Sequence, residues 1–186
     1  MSAPQDSLDH AHFMRLAMRE AEKARGGTGD NPWVGCVIVD AHGAILGRGH
    51  THGPGEDHAE IDAAREAAAE GRSIEGATLY STLEPCAFHG RTPACAHAIV
   101  ARKIARVVIA LRDPHPRVDG AGVRILREGG VDVVEAVLED DVRRQLAAWI
   151  LVQHPHEAHA WAKGSGLADE ALDAAWLERY GGPRPR

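Results

Sequence analysis

The hydrophobic positions of the chain follow two periods, one typical of helices and the other of strands. Between residues 9 and 25, apolar side chains recur every three or four residues and charged side chains occupy the opposite side. This pattern predicts an amphipathic helix that Asp9 caps and Gly26-Gly27 ends. Short apolar runs bounded by turn residues predict five strands. They lie at residues 34–39, 44–49, 77–82, 106–111 and 131–134.

Further helices are predicted between and after these strands, at residues 58–70, 122–128, 139 to beyond 149, and 168–180. Pro85 ends the third strand and places Cys86 in a turn, which opens a helical segment that reaches Cys95. Strands alternating with helices predict an α/β fold, a three-layer α/β/α sandwich around a mixed five-stranded sheet. The first two strands are expected to be antiparallel and the later ones parallel.

The helical pattern breaks at residues 153–156, Gln-His-Pro-His, and the chain ends in Pro-Arg-Pro-Arg. We therefore predict a domain of residues 1–152 and a helical C-terminal extension of residues 153–186 with a disordered end. This extension is expected to pack on the domain or on a neighbouring subunit and to carry no chemistry.

Composition and charge narrow the class of protein. The chain has 186 residues, 44% of them hydrophobic, which suits one domain with a short extension. A net charge of −6 argues against a nucleic-acid partner. A basic and then apolar N-terminal segment is missing, as is any apolar run of about 18 residues, so neither export nor a membrane is predicted. Three cysteines in such a chain favour a reducing, cytoplasmic location where thiols bind metal.

The chemistry of the chain is concentrated between His58 and Cys95. One imidazole and the thiols of Cys86 and Cys95 form a donor set that suits zinc better than magnesium or calcium. Three protein ligands leave the fourth position to water, as in catalytic zinc sites. Glu60, two residues after His58, is poorly placed as a ligand and well placed to move a proton. H-x-E followed by P-C and a second cysteine is the arrangement of the zinc deaminases.

Other cysteines and histidines have simpler interpretations. Two cysteines with eight residues between them are weak evidence by themselves, and the His-Ala-Glu and Glu-Pro-Cys elements supply most of the specificity. Cys36 lies in an apolar strand and is interpreted as a core residue. His154, His156 and His159 are interpreted as surface histidines of the extension and not as a metal cluster.

The motifs resemble the cytidine-deaminase-like superfamily and, within it, the pyrimidine deaminases of riboflavin biosynthesis. The discriminating stretch is the long insert between the two cysteines, Pro-Cys-Ala-Phe-His-Gly-Arg-Thr-Pro-Ala-Cys at residues 85–95. The likeness extends to residues 31–39, Asn-Pro-Trp-Val-Gly-Cys-Val-Ile-Val, to residues 112–116, Arg-Asp-Pro-His-Pro, and to the glycines at 120–122 and 129–130. Roughly residues 9 to 150 are covered.

The resemblance implies a reaction and a set of substrate contacts. The family removes the 2-amino group of a diaminopyrimidinone ribosylamine 5′-phosphate and leaves a pyrimidinedione. On this resemblance Asn31 touches the sugar or ring, Arg91 meets the phosphate, and the main chain of Ala59 and of the loop after Glu84 holds the ring. The implied substrate-binding positions are Asn31, Thr51, Ala59, Glu84, Phe88, His89, Arg91, Asp113 and His115. Asn31 as a turn residue before proline and Arg91 as a surface charge stay open as alternatives.

The chain also departs from the family pattern. Thr51 and Phe88 stand where the family commonly has histidine, and His115 stands where it has asparagine. Leu146-Ala147 replaces a Leu-Asn pair, and the reductase domain that often follows is missing, so a separate reductase is expected if the chain serves riboflavin synthesis. A homo-oligomer, dimer or tetramer, is implied because superfamily members commonly complete their pockets with a neighbouring subunit.

Three functions therefore remain open. The first is the riboflavin-pathway deaminase, and the second is a deaminase of the same fold retargeted to another aminated base, nucleoside or secondary-metabolite precursor. The third is a zinc-stabilised module without catalysis, against which the intact Glu60 argues. A tRNA or DNA deaminase is disfavoured by the acidic charge balance.

Overall fold

The computed structural model describes residues 8–87, 94–115 and 118–185. The chain forms two compact units, Met1–Leu138 and Glu139–Arg186. Within the described ranges, no helix combines the length and apolar character that crossing a membrane requires.

The first unit is built around a mixed five-stranded sheet, as predicted. Its elements are α1 (His10–Ala24), β1 (Gly35–Val39), β2 (Ile45–His50), α2 (Ala59–Ala69), β3 (Thr78–Leu83), α3 (Cys95–Ala101), β4 (Arg106–Leu111), α4 (Ala121–Glu128) and β5 (Asp132–Val134). The strand order is β2-β1-β3-β4-β5. β1 is antiparallel to both β2 and β3, whereas β4 is parallel to β3 and β5.

Helices cover both faces of this sheet, and two glycines explain how closely they approach. A Cβ at Gly35 would lie 1.9 Å from the carbonyl oxygen of Ala17 in α1, and one at Gly49 would lie 2.3 Å from that of Ala59 in α2. Gly49 pairs with Cys36, the neighbour of Gly35 in β1. Because successive strand residues point to opposite faces, α1 and α2 lie on opposite sides. The predicted three-layer α/β/α sandwich is confirmed.

The second unit is helical, with α5 (Glu139–Gln145), α6 (Ala147–Gln153), α7 (Pro155–Gly164) and α8 (Asp169–Tyr180). α7 was not predicted, because Pro155 was interpreted as a break although proline is compatible with the first turn of a helix. His154 is not a surface residue: it is buried, with its ring centroid 4.6 Å from that of Trp149. The predicted domain boundary at residue 152 falls within α6, and it stays a prediction, as does the disorder of the chain end.

Candidate active site

The parallel pair of strands β3 and β4 brings two loops together at one edge of the sheet. Leu83 pairs with Leu111 at the carboxyl ends of these strands, and the Glu84 amide continues the ladder by donating to the Leu111 carbonyl at 2.9 Å. The chain then enters the loops that carry Cys86 and Asp113. Carboxyl ends of parallel strands are the usual position of binding sites in α/β sheets.

The antiparallel strands β1 and β2 reach the same edge of the sheet, where β1 begins and β2 ends. Val34 immediately precedes β1 and Thr51 immediately follows β2, and the two residues are paired: the Thr51 amide donates to the Val34 carbonyl at 3.0 Å, and the Val34 amide donates to Thr51 Oγ1 at 3.1 Å. The result is a cleft whose walls come from four strands and from the start of α2. It is lined by Asn31, Pro32, Val34, Thr51, His58, Glu60, Leu83, Glu84, Cys86 and Asp113.

Three predicted metal donors converge beside this cleft. His58 is the N-cap residue of α2, and Cys95 is the first residue of α3. The Nδ1 atom of His58 lies 3.7 Å from Sγ of Cys86 and 3.4 Å from Sγ of Cys95. In a tetrahedral zinc site with ordinary bond lengths, the nitrogen and each sulfur are about 3.6 Å apart. The donor set and its spacing therefore fit zinc.

The two thiols differ in their electrostatic surroundings. The hydrogen bond from Cys95, followed by one with His58, lowers the pKa of Cys86 to about 4 despite its partial burial. The Cys95 backbone N–H also donates to Cys86 Sγ at 3.2 Å. The pKa of Cys95 is raised, because its thiol donates to Cys86 and is buried. Cys86 is therefore the thiol that loses its proton more readily, and a divalent cation between the sulfurs would favour ionisation of both.

Glu60 lies in the first turn of α2 and lines the cleft with His58 and Cys86. Glu60 is only 5% exposed. Burial, together with the nearby Cys86 thiolate, raises the pKa of its carboxyl to about 7. A group with a pKa close to neutrality can accept and donate a proton at similar cost. The Glu60 carboxyl shares the lining of the cleft with His58 and Cys86, so it lies beside the predicted metal position.

Glu84 makes backbone contacts at this edge of the sheet that the sequence did not predict. Its carboxylate accepts hydrogen bonds from the backbone N–H groups of Asp113 at 3.2 Å, Gly120 at 3.0 Å and Val123 at 3.1 Å. These donors lie in the loop after β4 and in the first turn of α4, where a negative charge is favourable. Glu84 therefore ties the cysteine loop to α4. Its predicted contact with substrate stays a prediction.

We expect Glu84→Gln to lower the free energy of unfolding by about 3 kcal/mol, since a buried carboxylate with three amide donors loses charge-assisted bonds. Chemical denaturation of the variant and the parent measures this loss. The matched control is Glu75→Gln, which removes an exposed carboxylate paired with Lys103 at 3.0 Å and should cost less than about 1 kcal/mol. Equal losses in the two variants would contradict the assigned anchoring.

Asp113 lines the cleft, and burial raises the pKa of its carboxyl to about 6 from an ordinary value of 3.8. The folded protein therefore binds this proton more tightly than the unfolded chain. Between the two values the folded state holds more protons, and stability falls as the pH rises. Ionising this carboxyl is expected to cost the folded state on the order of 3 kcal/mol by pH 7.

In metal-free protein, the Asp113→Asn variant should therefore become increasingly more stable than the parent as the pH is raised from 4 to 7. The amide keeps an acceptor for the His115 backbone N–H, which now donates to Asp113 Oδ1 at 2.8 Å. Thermal unfolding of both proteins across this range measures the difference. A difference that is constant with pH would show that Asp113 has an ordinary pKa.

The remaining predicted substrate positions divide into three groups. Asn31 and Thr51 line the cleft, whereas Ala59 is buried at the start of α2 and His115 is not among the lining residues. Phe88, His89 and Arg91 lie outside the described residues. Cys36 is fully buried in β1, which agrees with its interpretation as a core residue.

Comparison with known proteins places this site in a family. Residues 7–111 match the model of the cytidine and deoxycytidylate deaminase zinc-binding region. The chain is 43% identical over 137 residues to the riboflavin biosynthesis protein RibD of Escherichia coli (strain K12), which is 74% of this chain and 36% of that protein. It is 41% identical over 155 residues to the protein of the same name in Aquifex aeolicus (strain VF5), covering 82% and 42% of the two chains.

A solved structure gives the same result. The diaminohydroxyphosphoribosylaminopyrimidine deaminase/5-amino-6-(5-phosphoribosylamino)uracil reductase from Thermotoga maritima superposes with a TM-score of 0.72 at 41% identity. The match covers 76% of this chain and 40% of that one, so the chain spans less than half the length of each of these relatives. Because the family model matches more than half of the chain, including His58 and both site cysteines, the chain belongs to the cytidine and deoxycytidylate deaminase zinc-binding family.

Proposed function

We propose that the chain is a zinc-dependent hydrolytic deaminase, which replaces an exocyclic amine of a pyrimidine-type nucleotide with a carbonyl oxygen and releases ammonia. The observation that supports this most directly is the position of Glu60. Its buried carboxyl lines the cleft beside a His/Cys/Cys donor set, and its pKa is raised to about 7. A purely structural zinc site would have no use for such a group.

His58, Cys86 and Cys95 are proposed to hold the metal, and their spacing is the reason for choosing these three. Zinc in such a site supplies a Lewis acid that lowers the pKa of a water molecule from 15.7 towards roughly 7. The protein then has to present the substrate ring to that water and to manage the protons. The cleft would present a polar wall of Asn31, Glu84 and Asp113 to the substrate ring.

Glu60 is proposed to carry the proton through the reaction. It accepts a proton from the attacking water and delivers it to the ring nitrogen next to the carbon under attack. Glu60 then takes the proton of the new hydroxyl group and gives it to the amine, the C–N bond breaks with its electron pair leaving on nitrogen, and ammonia departs as the C=O bond forms. The products are a carbonyl compound and ammonia, and the carboxylate of Glu60 is restored.

The riboflavin-pathway diaminopyrimidinone ribosylamine phosphate is the proposed substrate. Support comes from the names of the relatives, which are riboflavin biosynthesis proteins in both bacteria, and from the deaminase named in the Thermotoga maritima structure. Arg91 is proposed to bind the phosphate, since a guanidinium can donate two parallel hydrogen bonds to phosphate oxygens. The separate reductase that this pathway would need stays a prediction.

A second candidate is a deaminase of the same fold acting on another aminated heterocycle, and one observation favours it. Thr51 lines the cleft where the resembled family commonly has histidine, and its hydroxyl faces the main chain of Val34. A short hydroxyl held in this way cannot make the contacts or the proton transfers that an imidazole can make. The pocket therefore offers different chemistry at this position.

Ammonia release from the zinc-loaded protein tests both candidates. The substrates are the riboflavin diaminopyrimidinone phosphate, its dephosphorylated form, cytosine, cytidine, deoxycytidylate and guanine, with Glu60→Gln as the blank. Turnover of the phosphorylated riboflavin intermediate alone supports the first candidate. Turnover of another amine in its place supports the second, and release of ammonia from none of them contradicts the proposed activity on pyrimidine substrates.

We further propose that the protein is cytoplasmic and forms a dimer or tetramer, as the resemblance implies. The comparison offers mixed support for location, because a 42% identical relative from Zea mays is named as chloroplastic. Light scattering on the purified protein would give the number of subunits.

A further inference from the structure

A second group of potential metal donors lies in the first unit, apart from the residues assigned to zinc. It consists of His50, the last residue of β2, His52 in the loop that follows, and Asp62 in α2. One ligand atom from each residue lies within 4.8 Å of the others, and all three side chains are partly buried. We refer to these three residues as the His–His–Asp cluster.

The distances within this cluster match those between ligands of one ion. Nε2 of His52 lies 3.1 Å from Oδ1 of Asp62, and Nδ1 of His50 lies 3.8 Å from Oδ2 of the same carboxylate. Two nitrogen or oxygen ligands of one transition metal, each about 2.1 Å from it, are about 3.0–3.4 Å apart at the usual bond angles. The His52–Asp62 pair lies in this range already, whereas the 3.8 Å between His50 Nδ1 and Asp62 Oδ2 is longer, so the His50 ring would have to move closer to share an ion.

Hydrogen bonding within the described residues does not account for this arrangement. Nε2 of His52 is shielded from solvent and has no hydrogen bond of acceptable geometry there, although the carboxylate is close. Shielded ring nitrogens normally have such a partner, so this one is poorly satisfied by protein atoms alone. The centroids of the two imidazole rings are also only 4.6 Å apart, which a shared cation would stabilise.

The surrounding backbone holds the donors in place. Oδ2 of Asp62 accepts from the His50 backbone N–H at 3.0 Å, which fixes the orientation of the carboxylate. The His52 backbone N–H donates to the Asp57 carbonyl at 3.0 Å, and the Gly53 N–H donates to the Glu56 carboxylate at 2.8 Å, so the loop is folded on itself. Such supporting bonds are the usual means by which proteins orient metal ligands.

We propose that the His–His–Asp cluster binds a divalent transition-metal ion of the zinc, nickel and copper class. Two imidazoles and one carboxylate suit these borderline ions, and a site of three protein ligands leaves the other positions to water. The ion would join the end of β2 to α2, the helix that His58 opens and that carries Glu60. It would thereby stabilise the loop between Thr51 and His58, which borders the cleft.

Equilibrium dialysis of the zinc-loaded protein, without a polyhistidine tag, against increasing Ni²⁺ tests this proposal. Zinc and nickel are counted separately by mass spectrometry. The parent should retain one zinc and take up one nickel per chain with a raised melting temperature. His52→Gln and Asp62→Asn should each keep the zinc and weaken nickel binding by at least about tenfold, since each removes or weakens one of three ligands.

The matched control removes two histidines elsewhere, in the double variant His156→Gln, His159→Gln in α7, and it should bind nickel like the parent. Unchanged nickel binding in both His52→Gln and Asp62→Asn would overturn the proposal, as would its loss in the control. Nickel that replaces zinc ion for ion would equally overturn it, because the binding would then be at the first site. Two cluster variants are used so that the test survives the failure of one to fold.

Discussion

Glu60→Gln is expected to lower the rate of ammonia release by at least about 10³-fold while the protein keeps its fold and one zinc per chain. The amide has nearly the shape of the carboxyl, so the packing of this 5% exposed residue is preserved. It cannot accept a proton from water and pass it to the substrate, so the proposed proton transfers are lost. Single-turnover ammonia release, with zinc counted on the same sample, measures the effect.

We expect the Glu60→Gln variant to fold, because a neutral amide is easier to bury than a carboxylate. The Glu60 carboxyl has a pKa of about 7 because it is buried beside the Cys86 thiolate, so the ionised form is disfavoured there. A neutral amide avoids that cost, and we expect the stability of the metal-free variant to equal or exceed that of the parent. Lost turnover together with retained stability would separate a catalytic role from a structural one.

The matched control is Glu70→Gln, at the exposed C-terminal end of the same helix, where the carboxylate faces Arg72 at 3.8 Å. It removes the same charge from the same element, so general electrostatic effects should appear in both variants. We expect its turnover to stay within about twofold of the parent, since exposed ion pairs contribute little. A Glu60→Gln variant that is as active as Glu70→Gln would exclude Glu60 as the proton carrier.

The sheet and the donor set could be predicted from sequence because both depend on local patterns. Apolar runs such as the one ending at Val39 identify buried strands, and the histidine and cysteines of the site follow directly after such elements or begin a helix. The antiparallel start and the parallel continuation of the sheet were also predicted correctly. Predicting these features requires only the residues near each position in the sequence.

The missed features depend on contacts between distant segments. The three amides that bind the Glu84 carboxylate lie 29 to 39 residues further along the chain, and nothing near Glu84 indicates them. The His–His–Asp cluster was missed for the same reason: nothing near His50 and His52 in the sequence indicates that Asp62 lies beside them. Asp62 joins them only once α2 has packed against β2.

The error at Pro155 has a different origin, because the local signal was present and was interpreted in the wrong direction. Proline cannot continue a helix from its interior, but it fits the first turn, where no amide partner is needed. The same residue therefore both ends α6 and begins α7. His154, between the two helices, becomes buried against Trp149 as a result.

Cys95→Ala is expected to reduce bound zinc to less than about a tenth of one ion per chain and to lower stability by several kcal/mol, since a bound metal stabilises the folded state by mass action. Cys95 is fully buried at the start of α3, and its sulfur lies 3.4 Å from His58 Nδ1, so its removal also loses a contact between α3 and the start of α2. Metal analysis and thermal unfolding, with and without a chelator, measure both effects.

The chain offers a matched control in Cys36→Ala, which removes an equally buried sulfur from β1. That variant should lose roughly 1 kcal/mol of packing, keep one zinc, and still be destabilised by the chelator. Cys95→Ala should be indifferent to the chelator, because it has no ion to lose. Full zinc occupancy in Cys95→Ala would mean that the third ligand lies elsewhere in the chain.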